Sequence, residues 1–200
     1  MGQSLLGMFK GVKVCVLHPE CREYQRLAEP LMQMGCCVSR VWPLSEEIPA
    51  ETAVVVALAE PRWHSTLETL AAQLHARGII LMALAKVRDA TVLPLLLSLQ
   101  PASILSFPPQ PVALVAQLMM VLHAHRRETA LRHELNKLQA RFFLQNKLNR
   151  AKLILMNRYG LSESAAHRFI LSDSMNRRCS LEHTADKVIG GGVNLQFISS

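Results

Sequence analysis

Residues 53–58 read AVVVAL, a continuous apolar run that ends at Glu60-Pro61. A strand with one wet face alternates polar and apolar side chains. A run with no polar break suits a strand buried on both faces, which must then have helices above and below. The flanking sequence supplies them. Upstream, VKVCVL (Val12–Leu17) and CVSRVW (Cys37–Trp42) read as strands, with a helix between them at Tyr24–Met34. Downstream come a helix at Thr66–Ala76, a strand at Ile79–Leu84, a helix at Ala90–Leu99 interrupted at Pro94, and a short strand at Ser103–Ser106. Five strands alternating with helices predict an α/β domain built on a parallel sheet, over residues 1–111. Ligand sites in such sheets lie at the carboxyl ends of the strands.

The character of the chain then changes. From Val112 there is neither proline nor glycine until Gly160, longer than an ordinary globular helix. A heptad fits this stretch. Leu114, Val121, Glu128, Leu135, Phe142 and Asn149 take position a, and Gln117, Ala124, Leu131, Leu138 and Gln145 take position d. The sequence therefore predicts a coiled-coil dimerisation helix over 112–147, its seam formed by Leu114, Val121, Leu131, Leu135, Leu138 and Phe142. Polar a positions would fix the register. The alternative is a helix packed back on its own domain. After Gly160, Ser162 is an expected N-cap, and Ala166, Ile170, Leu171, Ser174 and Met175 form an expected buried stripe. Leu181, Ala185, Val188 and Ile189 mark a last helix stopped by Gly190-Gly191-Gly192. With Leu148, Ala151, Leu155 and Tyr159 these predict a small three-helix bundle over 148–190, followed by a tail at 191–200.

Charge separates the two parts. The 200 residues carry a net +7, and residues 123–189 hold 13 Lys and Arg against 6 Asp and Glu. The remainder holds 9 of each, so the whole excess lies in the last third. A neutral module joined to a polyanion-binding one is the natural reading, against a merely solvated basic helix face. Lys147, Arg150, Arg158, Arg168, Arg177 and Arg178 are expected on the outside of the bundle. With 18% charged and 50% hydrophobic residues, wholesale disorder is excluded. No apolar run approaches the roughly 20 residues a bilayer requires. Lys10 and Lys13 break up Met1–Leu17, so no signal peptide is expected. The odd set Cys15, Cys21, Cys36, Cys37 and Cys179 contains no C-x-x-C pair and suits buried free thiols in a cytoplasmic protein. No cofactor and no metal site are expected, since His123 and His125, two apart on a helix, point in different directions.

Leu148–Ile189 closely resembles the ANTAR domain of bacterial transcription antiterminators. The resemblance rests on Ala151-Lys152, Leu155-Met156, Arg158, Gly160, Ser162-Glu163, Ala166, Met175, and Leu181 followed by Ala185. One departure is Ser172, where many members have Arg. Upstream, Ser4-Leu5-Leu6-Gly7, Val16-Leu17 with Pro19, Gly35-Cys36 and Trp42-Pro43 are similar, in order, to the aliphatic-amidase regulators. The resemblance implies a homodimer that binds hairpins in a leader mRNA and prevents a terminator from forming, in an amidase or related nitrogen-use operon. Lys152, Arg158, Tyr159, Arg168, Arg177 and Arg178 are the expected RNA-binding residues. Cations would track phosphates, and the Tyr159 ring would offer a plane for a splayed base unless it packs the bundle instead.

The five-stranded alternation resembles a response-regulator receiver (flavodoxin-like), without its chemistry. Where a receiver has an acidic pair after the first strand, the chain reads His18-Pro19-Glu20. Ala57 falls at the phosphoacceptor position, Ala85 or a neighbour at the hydroxyl position, and Pro108 at the lysine, with Pro109 the candidate cis proline. An aspartyl phosphate needs a carboxylate and a metal site. The expectation is therefore a pseudo-receiver with no catalytic residue, gated by a partner protein. The resemblance implies a ligand-sensing negative regulator in that role. Trp63 and Pro94–Leu99 are candidate partner surface, or else core. The rival reading is a DNA-binding transcription factor of the response-regulator type, in which Leu181–Ile189 would enter the major groove. Glu182 and Asp186 argue against it. An enzyme lacks a nucleophile paired with a base at the strand ends, and a purely structural adaptor leaves the basic excess unexplained.

Overall fold

The unbroken apolar run becomes the central strand. In the computed structural model, which describes residues 7–44, 47–86 and 90–192, β3 (Val54–Leu58) is buried at every position. The Ser4-Leu5-Leu6 part of the resemblance and most of the expected tail lie outside the described residues. Around β3 run β1 (Lys13–Leu17), β2 (Cys37–Arg40), β4 (Ile80–Ala85) and β5 (Ser103–Ser106). All pairs are parallel, in the order β2-β1-β3-β4-β5. Alternate residues of each strand face opposite sides, so the sheet has two cores. Cys15, Leu17, Val55, Ala57, Leu81 and Ala83 pack under α2 (His64–Ala76) and α3 (Leu93–Leu99). Val14, Val16, Val56, Met82, Leu84 and Leu105 pack under α1 (Arg22–Gln33) and the first turns of α4 (Pro111–Tyr159).

Pro94 does not interrupt its helix. Residues Ala90–Val92 form a 3-10 turn, and Pro94 sits in the first turn of α3, where its missing N–H is no loss. All five thiols are free. Cys15 and Cys36 are buried, and burial pushes the Cys36 thiol up to about 11. Cys37, expected inside, is exposed because it opens the edge strand β2.

Contacts divide the chain into residues 1–128 and 129–200. This corrects two assignments to the pairing seam. Leu114 is 0% and Val121 9% exposed, and with Leu118 and Leu122 they close the second sheet core. Burying a leucine in its own domain is worth roughly 2 kcal/mol, and this face of α4 is committed to it. The remaining expected seam residues, Leu131, Leu135, Leu138 and Phe142, are all more than half exposed. Among the described residues no helix is long and apolar enough to cross a membrane.

In the second unit α4 ends at Tyr159, and Gly160 turns the chain with φ +66°. α5 (Glu163–Arg177) and α6 (Leu181–Ile189) follow. Ala151, Leu155, Ala166, Ile170, Ala185 and Val188 form a separate core. Each of the three helices contributes one fully buried alanine, Ala151, Ala166 or Ala185, and side chains of that size let the backbones approach closely. Met175, expected in the stripe of α5, is instead 77% exposed. Ser174 takes the inward place at the end of that helix. Its hydroxyl donates to the Cys179 carbonyl at 3.1 Å and fastens the α5–α6 turn.

Candidate nucleic-acid interface

The helix ends of the bundle follow from local chemistry. The Ser162 hydroxyl accepts from the Ala165 N–H at 3.3 Å, and the Ser180 hydroxyl from the His183 N–H at 3.1 Å, each capping a helix start. The buried Thr184 hydroxyl donates to the Ser180 carbonyl at 3.3 Å. Gly190 closes α6 onto the Asp186 carbonyl at 2.8 Å.

The cations divide by what they touch. Lys147 of α4 donates to Glu182 at 2.7 Å and to Asp186 at 3.0 Å, so it ties α6 to α4 and uses both carboxylates of α6. Hydrogen bonds to Glu182 and then Asp186 hold its pKa above the ordinary lysine value. Lys152 donates to Glu163 at 2.7 Å and ties α4 to α5. That hydrogen bond, with the lysine charge, holds the Glu163 carboxyl below its usual range. Lys152 is only 18% exposed along its side chain. Arg177 donates to Asp173, one turn back, at 2.7 Å. Arg150, Arg158, Arg168 and Arg178 are exposed and have no ion-pair partner among the described residues. Of the six residues expected to contact RNA, three thus stand open, two are held in internal ion pairs, and half-buried Tyr159 packs on the bundle core.

Topology sets the open cations apart. Arg158 lies beside Gly191 at the end of α6, whereas Arg178 caps the far end of α5. α5 has 15 residues, about 21 Å at 1.5 Å per residue. Arg158 and Arg178, both expected to contact RNA, therefore occupy opposite ends of the bundle. Arg178 also holds φ +51°, a left-handed conformation where glycine would be the unstrained choice. The sequence reading places Arg150 in solvent without giving it a role, and does not single out Leu153, which is 56% exposed.

At the carboxyl ends of the strands the receiver chemistry is replaced by packing. Ala57 is buried in β3. After β5 a cis bond joins Phe107 to Pro108, so the residue before that cis proline is Phe107, one earlier than the sequence alignment places it. The His18 ring is buried and stacks on the Phe107 ring at 6.1 Å, interplanar angle 15°. The Lys86 ammonium lies over the other partner of that stack, 5.6 Å from the Phe107 centroid. His18 Nδ1 lies 2.9 Å from the Pro19 carbonyl, and its Nε2 has no hydrogen-bond partner among the described residues. No group of three or more metal-ligating side chains occurs among the described residues. Incubation with a small phosphodonor should leave the N-terminal unit unmodified, since the Ala57 methyl cannot accept a phosphoryl group. An acid-labile and base-labile phosphoryl adduct seen by mass spectrometry on this unit would refute that.

Of the candidate partner surface, Leu95, Leu96 and Leu99 are core. Leu93 and Leu97 face solvent, and Trp63 meets Trp42 edge to face at 4.8 Å.

Comparison with known proteins completes the assignment. Residues 12–122 match the family model described as the AmiR N-terminal domain, and residues 136–189 match the ANTAR domain. The aliphatic amidase regulator of Pseudomonas aeruginosa PAO1 is 27% identical over 188 residues, covering 94% of this chain and 95% of that one. Among solved structures, the response regulator StyR has a TM-score of 0.54 at 18% identity, covering 88% of this chain and 98% of its own. The signal receiver domain of an HD domain-containing protein from Pseudomonas fluorescens Pf-5 has a TM-score of 0.51 at 14% identity, covering 59% and 99%. At such identities the structural likeness speaks for the fold alone. The family-model match to the first domain spans more than half of the chain, and the ANTAR match takes in the whole bundle. The chain therefore belongs to the AmiR family of ANTAR-containing antitermination regulators.

Proposed function

We propose that this protein is a homodimeric antiterminator that binds paired hairpins in a nascent leader mRNA through its C-terminal bundle. The observation that carries the reading is the bundle itself. The residues matched by the ANTAR model, 136–189, fold around an apolar core, leave Arg150, Arg158, Arg168 and Arg178 exposed, and carry 10 Lys and Arg against 4 Asp and Glu, most of the chain's positive excess. Hairpin loops splay bases and present phosphates on a curved path, which suits cations about 20 Å apart better than a single basic point. The DNA-binding rival is disfavoured by α6. Its two carboxylates are engaged by Lys147, and Lys187 is its sole Lys or Arg.

Dimerisation is proposed through Leu131, Leu135, Leu138 and Phe142, whose exposed side chains need a partner helix. Regulation is proposed through a protein, since Ala57 forbids phosphotransfer. A ligand-sensing negative regulator would contact the receiver-like unit, and exposed Leu93 and Leu97 are the part of the expected surface open to it. The likeness to an aliphatic amidase regulator supports an amidase or related nitrogen-use operon as the target.

The test is binding to a two-hairpin leader RNA against a duplex DNA of matched length. The RNA should bind far more tightly, with a log–log salt slope of roughly 0.7 to 0.9 per phosphate contact. Arg158→Ala and Arg168→Ala should each weaken binding about fivefold, near 1 kcal/mol, and leave the thermal melt unchanged. Arg178→Gly separates function from stability: it relieves roughly 1 kcal/mol of backbone strain while removing a cation. The melt should rise and RNA affinity fall. Equal affinity for duplex DNA and hairpin RNA would return the DNA-binding reading to first place.

A further inference from the structure

The exposed seam does not stop where the coiled-coil reading ends. Over 131–142 it offers four apolar residues in under two heptads, and stable pairing usually takes three or four heptads. A strict heptad would continue through Gln145 and Lys152. Lys152 is turned into its own bundle by Glu163, so that face is already occupied. The exposed stripe follows a different spacing. Leu131, Phe142 and Leu153 stand eleven residues apart, and so do Leu138 and Asn149. Eleven residues in three turns is 3.67 per turn, close to an unstrained helix. At about 100° per residue, Leu131, Leu135, Leu138, Phe142, Asn149 and Leu153 fall within about 60° of one another. The face that packs on α5 and α6, carried by Ala151 and Leu155, lies about 150° away by the same count. Leu153 is 56% exposed, like the 54–64% of the four seam residues.

We infer that a second copy of this chain covers Leu153, so that the pairing surface runs from Leu131 into the RNA-binding bundle on an eleven-residue spacing. This rests on the homodimer proposed above and extends it. Asn149 then occupies a buried polar position between Phe142 and Leu153, the kind of residue that fixes two parallel helices in register. The two bundles share the interface, and their open arginines are held at a fixed separation. That geometry selects RNA carrying two hairpins at matched spacing over a single hairpin.

The experiment uses the full chain with Cys21, Cys37 and Cys179 changed to Ser, and single cysteines placed by Leu138→Cys, Leu153→Cys or Arg150→Cys. Under mild oxidation the cysteines at 138 and 153 should both capture disulfide-linked dimers, while the one at 150, on another face, should not. Leu153→Ala should raise the dimer dissociation constant about tenfold in sedimentation equilibrium. Linking at 138 but not at 153, with Leu153→Ala dissociating as wild type, overturns the extension and leaves the homodimer standing. A Leu153→Ala chain that loses hairpin affinity with unchanged dissociation also overturns it, by assigning the leucine to RNA. Failure to link at either position removes the homodimer and this inference together.

Discussion

Leu135→Asp with Leu138→Asp should convert the dimer to a monomer and, with it, remove high-affinity binding to a two-hairpin leader. Both side chains are about 60% exposed in the single chain, so neither substitution disturbs a core and each monomer should keep its helicity. In the paired state the same positions face a second copy. Each aspartate would then be desolvated without a cation opposite, at about 2 kcal/mol or more. Two per chain make four per dimer, about 8 kcal/mol or more if they add, which is roughly five to six powers of ten in the dissociation constant. Sedimentation should show a single species of monomer mass at micromolar protein. Single-hairpin affinity should change little, because the bundle is intact, while the two-hairpin advantage, an effective-concentration effect, disappears. A double variant that sediments as wild type would dismiss the pairing seam.

The sheet was legible because its signals are local and redundant. A run such as Ala53–Leu58 has few alternatives, and turn chemistry at Gly35 and Gly78 punctuates the strands on either side. The end of the long helix was equally plain, since Gly160 adopts the left-handed turn that glycine alone adopts freely. What the sequence could not resolve is which of two apolar stripes on one helix meets which surface. Leu114 and Val121 satisfy a heptad as well as Leu135 does, but they serve the sheet core. A 3.5-residue and a 3.6-residue period differ by about 20° per heptad, too little to separate a core face from a seam over two or three turns. Met175 fails differently. It is expected in the stripe of α5 together with Ser174, yet the helix ends within a turn and only Ser174 is buried there, its hydroxyl donating to the Cys179 carbonyl.

The candidate site was legible in composition and not in arrangement. Counting charge found the basic unit, but it could not show that Lys147, Lys152 and Arg177 are held by Glu182, Asp186, Glu163 and Asp173. Those pairings depend on helices folding back on one another, except for the Arg177 pair, which lies within one helix at i, i+4. The receiver end shows the converse. Absence of the phosphoacceptor was readable from Ala57 alone, whereas the stack of His18 on Phe107 required the fold to bring the ends of β1 and β5 together. An aromatic pair occupies the neighbourhood where a receiver would keep its acidic pair and lysine, so restoring a carboxylate at Ala57 would not by itself restore phosphotransfer.

A large loss from a single side-chain truncation is expected in the bundle, at Ile170. Its side chain is fully buried among Ala151, Leu155, Ala166, Ala185 and Val188, and three of those five neighbours are alanines. Alanine packed against alanine cannot swing inward to fill a void, so Ile170→Ala should leave most of its cavity open and cost about 3–5 kcal/mol, the upper part of the usual range. A core of this size supplies only about 3–5 kcal/mol in total, so the bundle should be largely unfolded at 37 °C. The first unit has its own two cores and should melt as before. Thermal scans by circular dichroism should lose the transition that belongs to the bundle, and hairpin binding should fall by at least a hundredfold. Ile170→Val removes a single methylene and should cost about 1 kcal/mol, shifting that transition downward while keeping binding. If Ile170→Ala instead retained full helicity and wild-type affinity for the leader, RNA recognition would not depend on the packed bundle, and the assignment of the interface to residues 148–189 would be lost.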